Sequence, residues 1–170
     1  CNACHVVGKC PIKDDFESLR EKLLACDGLV LGSPNYFNSV TAQLKTVLDR
    51  LSGEIHCQEY LGKYGCSVAT AGGTEYDVVS DYLGDVLLRL GCSSVGAVGA
   101  SLAVPGLFER SQEEAVALGK ELVQAIKEKR EYPDQEPVHA TMRERFKMLI
   151  TFNKDNWPYE YEQWRAKGWL

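Results

Sequence analysis

The chain has 170 residues, 45% of them hydrophobic and 25% charged, and its 24 acidic and 19 basic side chains give a formal charge of -5. That is room for one sizeable domain with a buried core. No Lys/Arg stripe is present to neutralise nucleic-acid phosphates, and no apolar run approaches the roughly 20 residues of a membrane span, so neither nucleic acid nor membrane is an expected partner.

Three of the seven cysteines, Cys1, Cys4 and Cys10, fall in the first ten residues; the others are scattered at Cys26, Cys57, Cys66 and Cys92. A scattered, odd set suits a reducing cytoplasm better than a disulfide framework. Cys1-Asn-Ala-Cys4-His5 fits the haem-attachment spacing, but the pattern that follows offers no helical haem pocket. The same residues allow a zinc site from three cysteines and His5, a redox-active Cys1/Cys4 pair, or free thiols.

Asp14 with Glu17 three residues later predicts a helix start, followed by Phe16, Leu19, Leu23 and Leu24 at helical spacing and an end near Cys26 to Gly28. Gly28 to Pro34 is a short continuous apolar run closed by turn residues, the pattern of a buried parallel strand. After the loop Asn35 to Asn38, residues Val40, Leu44, Val47, Leu48 and Leu51 share one helical face. On that helix Lys45 and Asp49 lie four apart, a solvated surface pair or a pair at an interface or beside a cofactor. The unit then repeats. Tyr64 to Thr70 predicts a second strand, Gly72-Gly73 a loop, and Tyr76, Val79, Leu83, Leu87 and Leu90 a helix stopped by Gly91. Ser94 to Ser101 predicts a third strand, leading through a Pro/Gly loop to a helix starting at Ser111 with Glu114 as capping partner.

Beyond a Pro133 to Pro137 linker, Thr141 and Glu144 predict a further capped helix carrying Phe146, Leu149 and Ile150. A tail with Trp157, Tyr159, Tyr161, Trp164 and Trp169 follows, expected to pack on the domain's own surface, or else on a neighbouring subunit or a cofactor mouth. His56 and His139 fall in predicted loops and are expected at the surface. The division expected is residues 1-132 as the main domain and 133-170 as a helical extension.

Strands alternating with helices imply an α/β fold, a doubly wound parallel sheet with helices on both faces. Three strands are few for such a sheet and leave the first with a bare edge, so further strands are expected upstream of a sequence that begins at Cys1 without a methionine. In an open α/β sheet ligands bind outside the carboxyl ends of the strands, which places the loops Ser33 to Asn38, Thr70 to Thr74 and Ser101 to Phe108 on one rim. The first offers a proline, two aromatic rings and two amides, suited to an aromatic ligand. The second, Thr70-Ala71-Gly72-Gly73, allows close approach of backbone N-H groups.

The run Ser33-Pro-Asn-Tyr-Phe-Asn-Ser-Val-Thr-Ala-Gln-Leu-Lys-Thr-Val-Leu-Asp-Arg50 resembles a segment of the NADPH-dependent FMN reductase and iron-sulfur flavoprotein families. The likeness extends through Thr70 to Gly73 and the Trp-Pro-Tyr-Glu-Tyr tail. It implies a flavodoxin-like fold in which Ser33, Pro34, Asn35, Tyr36, Phe37, Asn38, Thr70, Ala71, Gly72, Gly73 and Thr74 flank the ring of FMN. It further implies NADPH or NADH as donor, a quinone, flavin, metal ion or protein as acceptor, a homodimer or homotetramer, and an upstream phosphate-binding loop. The iron-sulfur relatives use four clustered cysteines for a [4Fe-4S] centre; Cys1, Cys4 and Cys10 match three of these, Val7 stands where another would fall, and a distant cysteine, His5 or an upstream ligand would have to complete the set. A flavodoxin-like electron-transfer module without a small-molecule substrate is the alternative, and a non-flavin regulatory protein of the same fold a third.

Overall fold

The computed structural model describes all 170 residues and contains three strands and eight helices. Strands β1 (Gly28–Pro34), β2 (Tyr64–Ala71) and β3 (Ser93–Ser101) form one parallel sheet in the order β1-β2-β3. Pro34 pairs with Thr70 and Thr70 with Ala100, so the three carboxyl ends finish level.

Side chains alternate across β2, and each set meets a different layer. One set faces α5 (Tyr76–Leu90): a Cβ on Gly65 would lie 2.6 Å from Leu87, and the Ser67 hydroxyl donates to the Ser80 carbonyl at 2.9 Å. The main core gathers here, with Leu29 from β1, Val79, Leu83 and Leu87 from α5, Phe16 from α2 (Phe16–Ala25) and Leu48 from α3 (Ala42–Arg50). The other set, Tyr64 and Cys66, packs against Leu122 and Ala125 of α6 (Leu107–Glu128). Helices thus cover both faces, and the fold is flavodoxin-like.

β1 departs from the expectation of a strand buried on both sides. Val30 is 60% exposed whereas Leu29 is 5% exposed, because α6 lies over β3 and β2 and reaches β1 only near Gly28. Three further expectations need correction. The helix predicted to begin at Ser111 begins one turn earlier at Leu107, and the Ser111 hydroxyl, buried inside it, bonds the carbonyls of Gly99 and Leu107. The Pro133 to Pro137 linker ends early: α7 (Glu136–Phe152) takes Pro137 into its first turn, where a missing N-H costs nothing. Thr141 is consequently mid-helix, its hydroxyl bonding the Pro137 carbonyl at 2.7 Å instead of capping.

Two short helices were not anticipated, α1 (Ala3–Val7) and α4 (Ser52–Cys57), each too brief to show a period. The C-terminal α8 (Pro158–Ala166) packs on α1, α4 and α7. Trp164, 1% exposed, joins Cys57, Met142, Phe146 and Ile150 in a second apolar cluster and donates its indole N-H to the His56 carbonyl at 3.1 Å. The tail aromatics therefore bury against this chain itself.

No helix is long and apolar enough to cross a membrane.

Candidate functional site

The level strand ends bring the three predicted loops to one rim. Immediately after β1, the Asn35 N-H donates to the Thr70 carbonyl at 2.6 Å and its side-chain amide donates to the Glu75 carbonyl, also at 2.6 Å, so the first loop is tied directly to the second. Ser33 anchors it from below: its buried hydroxyl accepts the Thr41 N-H at 3.0 Å and donates to the Pro34 carbonyl at 2.8 Å. Thr41 in turn caps α3 by accepting from Leu44 N at 3.3 Å.

Tyr36 and Ser39 exchange backbone hydrogen bonds at 3.0 and 3.2 Å across a two-residue turn in which Phe37 and Asn38 both have φ of 55°. Asn tolerates that region, but a phenylalanine there costs on the order of 1 kcal/mol. This one is also fully exposed. A bulky apolar ring held at strained backbone geometry, in water, contributes little to the folded core and is the kind of outlier that clusters at functional sites. Tyr36, Leu102 and Phe108, also exposed, extend the apolar surface along the same rim.

The neighbouring Thr70 to Thr74 loop, tied to the first through Asn35, is left bare. A Cβ on Gly72 would meet nothing within 4 Å, and the Gly72 and Gly73 N-H groups donate no hydrogen bond within the chain. Asn35 Oδ1 is buried without a partner, an acceptor awaiting a donor. The rim therefore combines aromatic surface, free backbone donors and one orphaned acceptor, a set that fits the ring of a flavin.

The N-terminal cysteines line a separate cavity of about 210 Å³, walled also by His5, Arg50 and Tyr159. Arg50 organises it. Its guanidinium donates to Asp14 at 2.6 and 3.0 Å and to Cys10 Sγ at 3.2 Å, and lies 4.0 Å from the centre of the Phe16 ring. Those hydrogen bonds hold the Asp14 carboxyl below the usual carboxylate range. Lys45 and Asp49, by contrast, form an exposed, solvent-screened pair on α3.

All seven cysteines are free. Burial raises the thiols of Cys57, Cys66 and Cys92, the last to about 12, which disfavours thiolate chemistry at these three. Cys1, Cys4 and Cys10 supply three of the four thiolates that a [4Fe-4S] centre takes, and Cys57, buried and with its thiol pushed up, lines the same cavity.

His5 does not turn to the thiols either. Its Nδ1 bonds Glu160 Oε1, and the second Glu160 oxygen receives His56 Nδ1 at 3.0 Å. Neither His56 nor His139 is a surface loop residue. His56 lies in α4, and His139 is buried in α7 with Nε2 3.2 Å from the Cys92 carbonyl. The Trp157 ring stacks on both His5 and His56, with centroids 4.4 and 5.3 Å away. Nothing in the sequence joins His5 to Glu160 across 155 residues; the only local signal was the tail in which Glu160 sits.

Residues 1–104 match the family described as NADPH-dependent FMN reductase. An iron-sulfur flavoprotein of Archaeoglobus fulgidus is 32% identical over 177 aligned positions, spanning all of this chain and 78% of that protein. An iron-sulfur flavoprotein of Methanocaldococcus jannaschii is 52% identical over 50 residues, 29% of this chain and 26% of its own length. Among solved structures, a flavodoxin-type, WrbA-like protein from Agrobacterium tumefaciens superposes with a TM-score of 0.51 at 18% identity, over 64% of this chain and 73% of that one, a likeness of fold.

Proposed function

The chain belongs to the NADPH-dependent FMN reductase family, and from that premise we propose that it is an oxidoreductase that uses FMN to take hydride from NADPH or NADH and pass electrons to a quinone, flavin, metal ion or protein acceptor. The observation that carries the reading is the rim itself, where the strained, exposed Phe37 and a glycine loop with free N-H groups stand at adjacent strand ends and Asn35 Oδ1 lacks a donor.

Each residue has a part in it. Pro34, Tyr36, Phe37 and Asn38 form one wall and Thr70, Ala71, Gly72, Gly73 and Thr74 the other, while Asn35 ties the two together and Ser33 anchors the first. FMN, when bound, supplies the hydride-accepting centre. The Gly72 and Gly73 N-H groups serve as fixed donors to whatever negative charge gathers on the ring, and Asn35 Oδ1 accepts from a ring N-H. Hydride transfer demands no general acid or base from the protein. The proposal includes residues 133-170 as an extension of a 1-132 domain, a homodimer or homotetramer as the resemblance implies, and a reducing cytoplasm as seven free thiols suggest.

A second reading, electron transfer to a partner protein without a small-molecule substrate, is favoured by the apolar patch of Tyr36, Phe37, Leu102 and Phe108. Steady-state oxidation of NADPH and NADH by the FMN-loaded, full-length protein separates the two. Turnover that rises with quinone or free flavin supports the reductase. No turnover with either, together with fast exchange with a redox protein, supports the transfer module and removes the reductase.

A further inference from the structure

The flavin chemistry makes no use of the group of His5, His56 and Glu160, of which only His5 reaches the cysteine cavity. Glu160 is fully buried, and no Lys or Arg pairs with it; its two oxygens meet only the two imidazoles. A carboxylate sealed in this way is compensated either by a protonated imidazole or by a metal ion that the two imidazoles also ligate, since an uncompensated buried charge costs several kcal/mol. The lysine and arginine side chains nearby are committed elsewhere, Arg20 to Glu54 and Lys167 to Glu59.

We propose that His5, His56 and Glu160 bind a divalent transition-metal ion of the Zn2+ class. One ligand atom from each residue, from α1, α4 and α8 respectively, lies within 4.8 Å of the other two. Ligands bonded at roughly 2.0–2.1 Å around a tetrahedral ion stand about 3.3 Å apart, so small rotamer adjustments close the site. Two imidazoles and a carboxylate are the borderline donors such an ion prefers over Mg2+ or Ca2+. The rings are pre-oriented: Trp157 stacks on both, and Phe146 lies 5.2 Å from His56. His5 also lines the 210 Å³ cavity, which provides an entry path and room for water as a fourth ligand. Metal binding competes with protons here, because each ligand atom must be unprotonated to bind.

The ion ties α1, which carries Cys4 and follows Cys1, to the C-terminal tail. Backbone packing already points the same way, as Gly8 sits so close under Tyr159 that a Cβ there would come within 2.4 Å of its ring.

The purified protein, stripped with a chelator and titrated with Co2+ and Zn2+, tests this. One equivalent is expected to bind, with Co2+ absorption bands of nitrogen and oxygen ligation and no sulfur-to-cobalt charge transfer. The Cys1→Ser/Cys4→Ser/Cys10→Ser protein is expected to keep that equivalent. His56→Gln, at a half-buried position, is expected to weaken binding at least about tenfold and to abolish the rise in Tm on Zn2+ addition. No metal uptake by the unsubstituted protein overturns the proposal, and so does a sulfur-to-cobalt band that disappears in the serine variant. Both readouts are taken on proteins with the buried Glu160 intact, so neither depends on a variant that fails to fold.

Discussion

Gly72→Val is expected to leave the folding stability of the apoprotein unchanged while weakening FMN binding at least about tenfold, or ~1.4 kcal/mol. Gly72 has no positive φ, and a Cβ built on it meets no atom within 4 Å, so the fold places no demand on this glycine. What remains is the space above the loop. If a flavin ring fills it, an isopropyl group there competes directly with the ring, and the added bulk also shields the N-H groups that would face it. Tm measured on the apoprotein and FMN affinity from fluorescence quenching together check this. A loss of both stability and affinity would mean the glycine is structural; retention of both would place the ring elsewhere.

Trp164→Ala carries the largest expected stability effect, about 3–5 kcal/mol, because a fully buried indole is removed from a small cluster and the His56 carbonyl loses its donor. For a chain of this size that corresponds to a fall in Tm of roughly 6–20 °C. The consequence reaches beyond α8, since Tyr159 and Glu160 of that helix hold the N-terminal α1 in place. Thermal unfolding by circular dichroism checks it. A loss below about 1 kcal/mol would show that the tail packs without contributing to the core.

How far the molecule was legible in its sequence depended on the range of the interaction that decides each part. The three strands could be read because Leu-Val-Leu after Gly28 and the run from Tyr64 to Thr70 are apolar segments closed by turn residues. The level strand ends, and with them the shared rim, followed from the parallel topology those runs imply. The exposure of Val30 did not, since it depends on where α6 lies over the sheet and not on β1's own residues.

Helix starts were misjudged where a hydroxyl residue had a second use. Ser111 and Thr141 both have the spacing of a capping box, yet each spends its hydroxyl on a carbonyl four residues back inside a helix that had already begun. Tertiary packing of Leu107, 2% exposed, and the tolerance of a first turn for Pro137 decided those boundaries. At the rim, residue type could suggest a ring-binding loop, but the strained turn at Phe37 and Asn38, the tie from Asn35 to Glu75 and the orphaned Asn35 oxygen exist only in three dimensions. The His5, His56 and Glu160 group was invisible for the same reason at greater range: its members come from three helices, two of them too short to be read.

The central claim is that the rim above β1 and β2 holds a flavin. Titration of the full-length protein with FMN, followed by flavin fluorescence and absorbance, tests it most directly. The account predicts a saturable, one-to-one response with quenched fluorescence and a structured, shifted flavin spectrum, weakened by Gly72→Val. A non-saturating response with the spectrum of free FMN would contradict it.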